Sequence, residues 1–121
     1  LKEMSNYLLG QYKIKTEEFD LKLDLFSSLW DIKSYAGKRI SSLTDGQLQS
    51  VKLFISLIHS PSVLIIDEPF NGLGSGSADN FSAVLENIRK KQVSVIVASA
   101  SPDLLSKITQ NNFQISNGKI E

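Results

Sequence analysis

The stretch Val63-Leu64-Ile65-Ile66-Asp67-Glu68-Pro69 decides the fold of this chain. Its four apolar residues, three of them β-branched, predict a strand over residues 62–66 that is buried on both faces, as in a parallel sheet. The strand runs into two adjacent carboxylates, and α/β proteins place their ligands at the carboxyl ends of parallel strands. The stretch therefore predicts an α/β fold with a candidate site at Asp67 and Glu68, and two solvated surface acids are the alternative.

The sequence after this strand predicts its neighbour in the sheet. Residues 93–98 form a second β-branched apolar run, and residues 78–91 between the two runs have an apolar stripe at helical spacing. That stripe consists of Phe81, Val84, Leu85 and Ile88. Strand, helix and strand in this order predict a βαβ unit with a right-handed crossover. Farther along, Pro102 predicts the start of a short helix, and residues 113–121 predict a terminal hairpin.

The first half of the chain has helical periodicity instead. We predict two helices within residues 1–37, the second capped by Thr16 and ended by Gly37. A third helix is predicted over residues 46–60, where Pro61 stops it. The layout is therefore a helical part followed by half of an α/β sheet.

Composition limits the possible classes of protein. The 121 residues correspond to one domain or part of one, and the 13 basic and 13 acidic residues give no net field that favours nucleic acid or an anionic membrane. The absence of cysteine excludes disulfides and thiolate metal sites. No apolar run approaches the roughly 18 residues of a membrane span, and no signal peptide is visible. Because the chain starts at Leu1 and its half sheet would have an open edge, we expect a further N-terminal segment.

The glycines after Pro69 do not match a phosphate-binding loop. Gly72, Gly74 and Gly76 lie between a strand and a helix, but a dinucleotide-binding turn would need a glycine at the position of Ser77. The chain also lacks the pattern G-x-x-x-x-G-K-[ST]. These glycines predict a flexible turn, so no phosphate cradle is encoded in this chain.

The start of the third helix and the two acids each have a chemical interpretation. Thr44 or Asp45 can cap the helix with Gln47 close behind, and the same helix start can accept an anion at its free N–H groups. Asp67 can hold a hydrated Mg²⁺ ion, which prefers a few oxygen ligands. Glu68 can accept a proton from an attacking water.

Taken together, three segments resemble motifs of the ATP-binding cassette (ABC) family. Leu43-Thr44-Asp45-Gly46-Gln47 resembles its signature motif LSGGQ, the strand ending in Asp67-Glu68-Pro69 resembles its Walker B strand, and Asn71-Gly72-Leu73 resembles its D-loop. Their order and spacing match without a gap over residues 43–73, and the remaining residues match more loosely. The resemblance implies the C-terminal half of a P-loop NTPase-like ABC ATPase core with a mostly parallel sheet. Residues 1–45 would be the helical subdomain and residues 46–121 the C-terminal part of the RecA-like core.

In this family two cassettes face each other head to tail with ATP and Mg²⁺ between them. The resemblance implies that Asp67 orients Mg²⁺ and that Glu68 polarises the attacking water as the catalytic residue. The residues that would contact the γ-phosphate held by the opposite subunit are Thr44, Asp45, Gly46 and Gln47. The residues that would cross the dimer interface are Asn71, Gly72 and Leu73. The implied partners are a second nucleotide-binding domain and a transmembrane transporter subunit, with no nucleic acid, which implies a cytoplasmic, peripheral location.

Four features depart from the family pattern. The P-loop and the glutamine loop are absent from the chain, so it is not expected to hydrolyse ATP alone. Asp45 places a negative charge in the signature motif, which reads T-D-G where S-G-G is usual. Gly74 replaces the D-loop aspartate, and the position of the switch histidine falls at about Ala100. His59 is predicted to end the third helix and is given no catalytic role.

These observations leave more than one functional hypothesis. The first is an ATP-hydrolysing subunit that couples hydrolysis to transport across a membrane. The second is a degenerate, non-catalytic cassette that acts as a regulatory or partner-binding module, which the missing aspartate and histidine favour. The third is an unrelated α/β protein with a chance motif.

Overall fold

The computed structural model describes residues 2–74, 76–109 and 111–120. Its helices, strands and 3₁₀ turns follow one another along the chain as α1 (Lys2–Tyr12), α2 (Thr16–Trp30), 3₁₀ turns at Ile32–Tyr35 and Ile40–Ser42, α3 (Asp45–Ile58), β1 (Val63–Asp67), α4 (Ser77–Arg89), β2 (Ser94–Ala98), α5 (Pro102–Ile108), β3 (Ile115–Ser116) and β4 (Lys119–Ile120). The chain is thus mixed α/β, with helices first and a small sheet after them. None of the helices in the described part of the chain is long and apolar enough to cross a membrane.

The ends of α2 differ from those that the sequence predicts. Lys15, with an extended backbone, is the N-cap residue and makes no side-chain capping bond, so Thr16 is the first helical residue instead of the cap. The helix ends at Trp30 because Asp31 adopts the left-handed conformation (φ 51°) and its N–H donates to the Ser27 carbonyl. Aspartate tolerates this conformation better than most residues, and the predicted end at Gly37 is therefore wrong.

One hydrophobic core joins the helical part to the α/β part. Phe19 and Phe26 of α2 meet Phe54 of α3 edge to face, with ring centroids 5.6 and 5.3 Å apart. The same core includes the buried residues Leu64 of β1 and Phe81 of α4. Such contacts cross the boundary predicted between residues 45 and 46. Phe81, Val84, Leu85 and Ile88, which form the predicted stripe of α4, are all buried.

The first sheet consists of β1 and β2 in parallel, as the order strand, helix, strand predicts. Their register pairs Val63 with Ser94 and Asp67 with Ala98. The prediction that these strands are buried on both faces is wrong. Leu64 and Ile66 are buried, whereas Ile65 is 72% exposed on the other face. This occurs because helices of the described residues cover only one side of the sheet.

The C-terminal elements are shorter than the sequence predicts. Pro102 opens α5 as expected, and Ile108 at the end of this helix is buried. The antiparallel strands β3 and β4 have only two residues each. Glu121, which the predicted hairpin includes, lies outside the described residues.

Candidate functional site

The carboxyl ends of β1 and β2 lie side by side because the two strands are parallel and Asp67 pairs with Ala98. The chain turns directly after β1. Glu68 has a left-handed backbone (φ 47°), and its N–H donates to the Ala98 carbonyl at 2.8 Å. This turn directs the chain away from the sheet and places Glu68 beside the loop that follows β2.

The carboxylate of Glu68 is held by that loop. Its Oε2 accepts a hydrogen bond from the Ser99 hydroxyl at 2.9 Å, and its Oε1 accepts one from the Ala100 N–H at 2.6 Å. Sequence reasoning missed Ser99. The only signal was its position, because it directly follows the second strand and so had to lie at the same edge of the sheet as Glu68.

Asp67 has a different environment although it is the adjacent residue. It is exposed, and no hydrogen bond to its carboxylate is seen within the described part of the chain. No group of three or more acidic or histidine side chains that could enclose a metal occurs among the described residues. A single exposed carboxylate such as that of Asp67 can supply one ligand to Mg²⁺, which uses one or two carboxylates and takes its other ligands from water and phosphate oxygens.

The start of α3 is fixed by a capping box. The Thr44 Oγ1 accepts a hydrogen bond from the Gln47 N–H at 3.3 Å, and the Gln47 Oε1 accepts one from the Thr44 N–H at 3.1 Å. The sequence left Thr44 and Asp45 open as the cap, and the structure assigns it to Thr44. A helix start has four N–H groups without intrahelical partners, and this box satisfies two of them, those of Thr44 and Gln47. Asp45 is exposed in the first turn.

The loop after β1 lies directly against this helix start. A Cβ atom on Gly46 would meet the Gly72 carbonyl oxygen at 2.4 Å, and one on Gly72 would meet the Asp45 Cβ at 2.9 Å. Gly72 also has a left-handed backbone (φ 76°). Because only glycine permits this approach, the segments 44–47 and 71–73 form one continuous surface.

Two further contacts hold the loop in place. Gln49 of α3 donates through Nε2 to the carbonyl oxygens of Glu68 at 3.4 Å and Pro69 at 3.3 Å. Phe70 is buried and meets Phe81 of α4 edge to face, at 5.8 Å between ring centroids. Sequence reasoning also missed Gln49, since nothing in the local pattern indicates which distant carbonyl a helix glutamine binds.

A buried polar pair supports α3 from the side. Ser50 is buried, and its Oγ lies 2.5 Å from the Tyr35 hydroxyl and donates to the Gln47 carbonyl at 2.8 Å. Burial raises the pKa of Tyr35 above its ordinary value, and the hydrogen bond to Ser50 opposes this shift. The Tyr35 hydroxyl is thus linked to α3 through Ser50, and it also lies 3.1 Å from the Trp30 carbonyl oxygen at the end of α2.

The site residues predicted from sequence therefore lie in three adjacent segments. The helix start and the loop touch at Gly46 and Gly72, and the loop begins at the strand end that carries Asp67 and Glu68. Together they present a helix N-terminus, the exposed carboxylates of Asp45 and Asp67, and the oriented carboxylate of Glu68. A helix N-terminus favours anions such as phosphate, and an oriented carboxylate can bind a water molecule.

No protein-family model matches the chain. Curated relatives do match nearly all of it. An ABC transporter ATP-binding protein of Mycoplasma pneumoniae is 31% identical over 120 residues, which are 99% of this chain and 35% of that protein. The ABC transporter ATP-binding protein NatA of Bacillus subtilis is 22% identical over 119 residues, 98% of this chain and 48% of that protein. The zinc import ATP-binding protein ZnuC of Rickettsia prowazekii is 34% identical over 97 residues, 80% of this chain and 41% of that protein. The chain thus spans less than half the length of each of these relatives.

Proposed function

Because this chain belongs to the ATP-binding cassette family, we propose that it forms the C-terminal part of a nucleotide-binding domain that couples ATP hydrolysis to transport across a membrane. In this proposal residues 1–45 are the helical subdomain and residues 46–121 belong to the P-loop NTPase-like core. The phosphate-binding loop comes from a segment outside this chain. The domain acts on the cytoplasmic side of the membrane, bound to a transmembrane subunit.

The observation that carries the proposal is the close contact of Gly46 with Gly72 beside the strand end of Asp67 and Glu68. It joins the three segments that resemble the signature motif, the D-loop and the Walker B strand. Phosphoryl transfer needs mainly positioning and charge compensation. A helix N-terminus can compensate phosphate charge, and the two carboxylates can position a metal ion and a water molecule.

Each segment has a role in this proposal. The start of α3 binds the γ-phosphate of a nucleotide held by a second nucleotide-binding domain, and the loop after β1 lies in the interface between the two domains. The phosphate-binding residues at the start of α3 are Thr44, Asp45, Gly46 and Gln47. The interface residues of the loop are Asn71, Gly72 and Leu73. Asp67 holds Mg²⁺, which would neutralise phosphate charge there. Glu68 orients the attacking water and accepts its proton.

Replacement of Glu68 tests this assignment. In the complete nucleotide-binding domain that contains this chain, Glu68→Gln should lower ATP turnover by about 10²-fold or more, since general-base catalysis contributes about 10²- to 10⁴-fold. ATP binding should persist, because the substitution keeps the size of the side chain. Glu86→Gln, at an exposed position of α4, is the matched control and should leave turnover unchanged. Undiminished turnover in Glu68→Gln would contradict the catalytic role.

A degenerate, non-catalytic cassette is the second candidate. Three residues favour it, because Gly74 and Ala100 stand where the family has an aspartate and a histidine, and Asp45 adds negative charge at the phosphate-binding helix start. Such a module would lend its helix start to a site on a partner. ATP turnover by the purified complete domain without any partner would exclude this candidate.

A further inference from the structure

The loop Ser99-Ala100-Ser101 carries no histidine, yet it contacts the proposed catalytic carboxylate twice. We propose that Ser99 is a positioning residue for Glu68. The Ser99 hydroxyl and the Ala100 N–H together hold the Glu68 carboxylate. The inference rests on the proposed function of Glu68 and adds the residue on which that function depends. Ser99 acts through Glu68 and does not itself touch the substrate.

The geometry of the two hydrogen bonds fixes the orientation of the carboxylate. One donor binds Oε2 and the other binds Oε1, so neither oxygen can rotate away without the loss of a bond. A carboxylate oxygen has two lone-pair directions, and each oxygen here therefore keeps one for a further donor. A water molecule can occupy that direction, so the contacts orient Glu68 without blocking it.

Ser99 is itself oriented for this role. Its Oγ accepts a hydrogen bond from the Ser101 N–H at 3.2 Å, and the hydroxyl proton remains free to donate to Glu68. The Ser101 carbonyl in turn accepts from the N–H groups of Leu104 and Leu105, both at 3.1 Å. The loop is thereby joined to the first turn of α5.

Glu68 is anchored from its own side as well. Its N–H donates to the Ala98 carbonyl at 2.8 Å, and its carbonyl accepts from Gln49 at 3.4 Å. Both partners of the Ser99–Glu68 bond therefore start from positions that other contacts hold. Such preorganised contacts need no rearrangement when the reaction occurs. The Ala100 N–H is a backbone group, so Ser99 is the only one of the two donors that a side-chain substitution can remove.

Steady-state kinetics of the complete nucleotide-binding domain test the inference. Ser99→Ala should lower kcat for ATP about tenfold, because a hydrogen bond to a charged group is lost, while KM for ATP stays within about twofold. Ser99→Thr keeps a hydroxyl at the same place and should restore kcat. Ser106→Ala, which removes an exposed hydroxyl that donates only within α5, is the matched control and should match the unsubstituted protein.

The Glu68→Gln background separates positioning from a general structural effect. If Ser99 acts through Glu68, Ser99→Ala should add no further loss of kcat there. A tenfold loss in both backgrounds would overturn the inference. An unchanged kcat in Ser99→Ala would also overturn the inference. If Glu68→Gln nevertheless lost turnover, the proposed function would stand without the inference. Unchanged turnover in Glu68→Gln would instead remove the proposed function.

Hydrogen exchange in the complete nucleotide-binding domain without nucleotide tests the contact directly. Ala100 is an exposed residue whose N–H donates to Glu68, so Glu68→Ala should speed the exchange of this N–H about tenfold. Asp67→Ala is the matched control, because it removes a neighbouring negative charge but not the bond. An Ala100 exchange rate equal in all three proteins would overturn the proposed contact between Glu68 and this loop.

Discussion

At the scale of single residues, Gly46 and Gly72 determine whether the loop after β1 can reach the start of α3. A methyl group on Gly46 would lie 2.4 Å from the Gly72 carbonyl oxygen, a distance that real Cβ atoms essentially never show. The obstacle is backbone on both sides, so no flexible side chain can move aside. The whole loop, with Glu68 at its beginning, would have to shift.

Gly46→Ala should therefore lower the free energy of unfolding by about 1 to 3 kcal/mol, the usual cost of overpacking. Urea denaturation of this chain measures the change. Gly74→Ala is the matched control in the same region, because nothing lies within 4 Å of a Cβ at Gly74 and its φ is not left-handed. It should be neutral or slightly stabilising. Equal stabilities of the two variants would contradict the close contact of Gly46 with the loop.

At the scale of single elements, α3 starts with a side-chain cap that α2 lacks. Its capping box is reciprocal between Thr44 and Gln47, whereas α2 starts without any side-chain capping bond. The two helices thus offer a comparison between a threonine that caps and a threonine, Thr16, that is only the first helical residue.

Thr44→Ala should lower the free energy of unfolding by about 1 kcal/mol, because it leaves the Gln47 N–H without its acceptor. Thr16→Ala removes an exposed side chain that makes no cap and should change it by less than about 0.5 kcal/mol. Thermal or urea unfolding of the two variants measures the difference. A cost at Thr16 equal to that at Thr44 would show that Thr16 caps α2, as the sequence pattern first indicated.

The elements also show which features the sequence could predict. Periodicity gave α3 and α4 to within about two residues, and the order of strands and helix gave the parallel pair, since both signals are local. The end of α2 at Asp31 could not be found, because a left-handed aspartate replaced the expected glycine. The contacts of Ser99 and Gln49 with the Glu68 region join residues 31 and 19 positions apart, and local sequence patterns carry no information about them.

At the scale of the whole molecule, the described residues leave one face of the parallel sheet open. Val63, Ile65 and Ile96 are 57, 72 and 58% exposed, and they lie on neighbouring strands. An apolar surface of this kind on a sheet with open edges favours association. Under the proposed function, a layer from outside this chain would cover this face, which would explain why a strand with buried-strand composition is exposed here.

The 121-residue chain should therefore self-associate at high concentration, and Ile65→Thr with Ile96→Thr should reduce this association. Because both side chains are exposed and contribute little to the core, the free energy of unfolding should change by less than about 1 kcal/mol. Leu64→Thr, one residue along the same strand, is the matched control and should cost about 2 kcal/mol or more, since it places a hydroxyl in the buried core. Sedimentation velocity measures the association and urea denaturation the stability. Association that persists unchanged in the double variant would show that another surface of the chain is responsible.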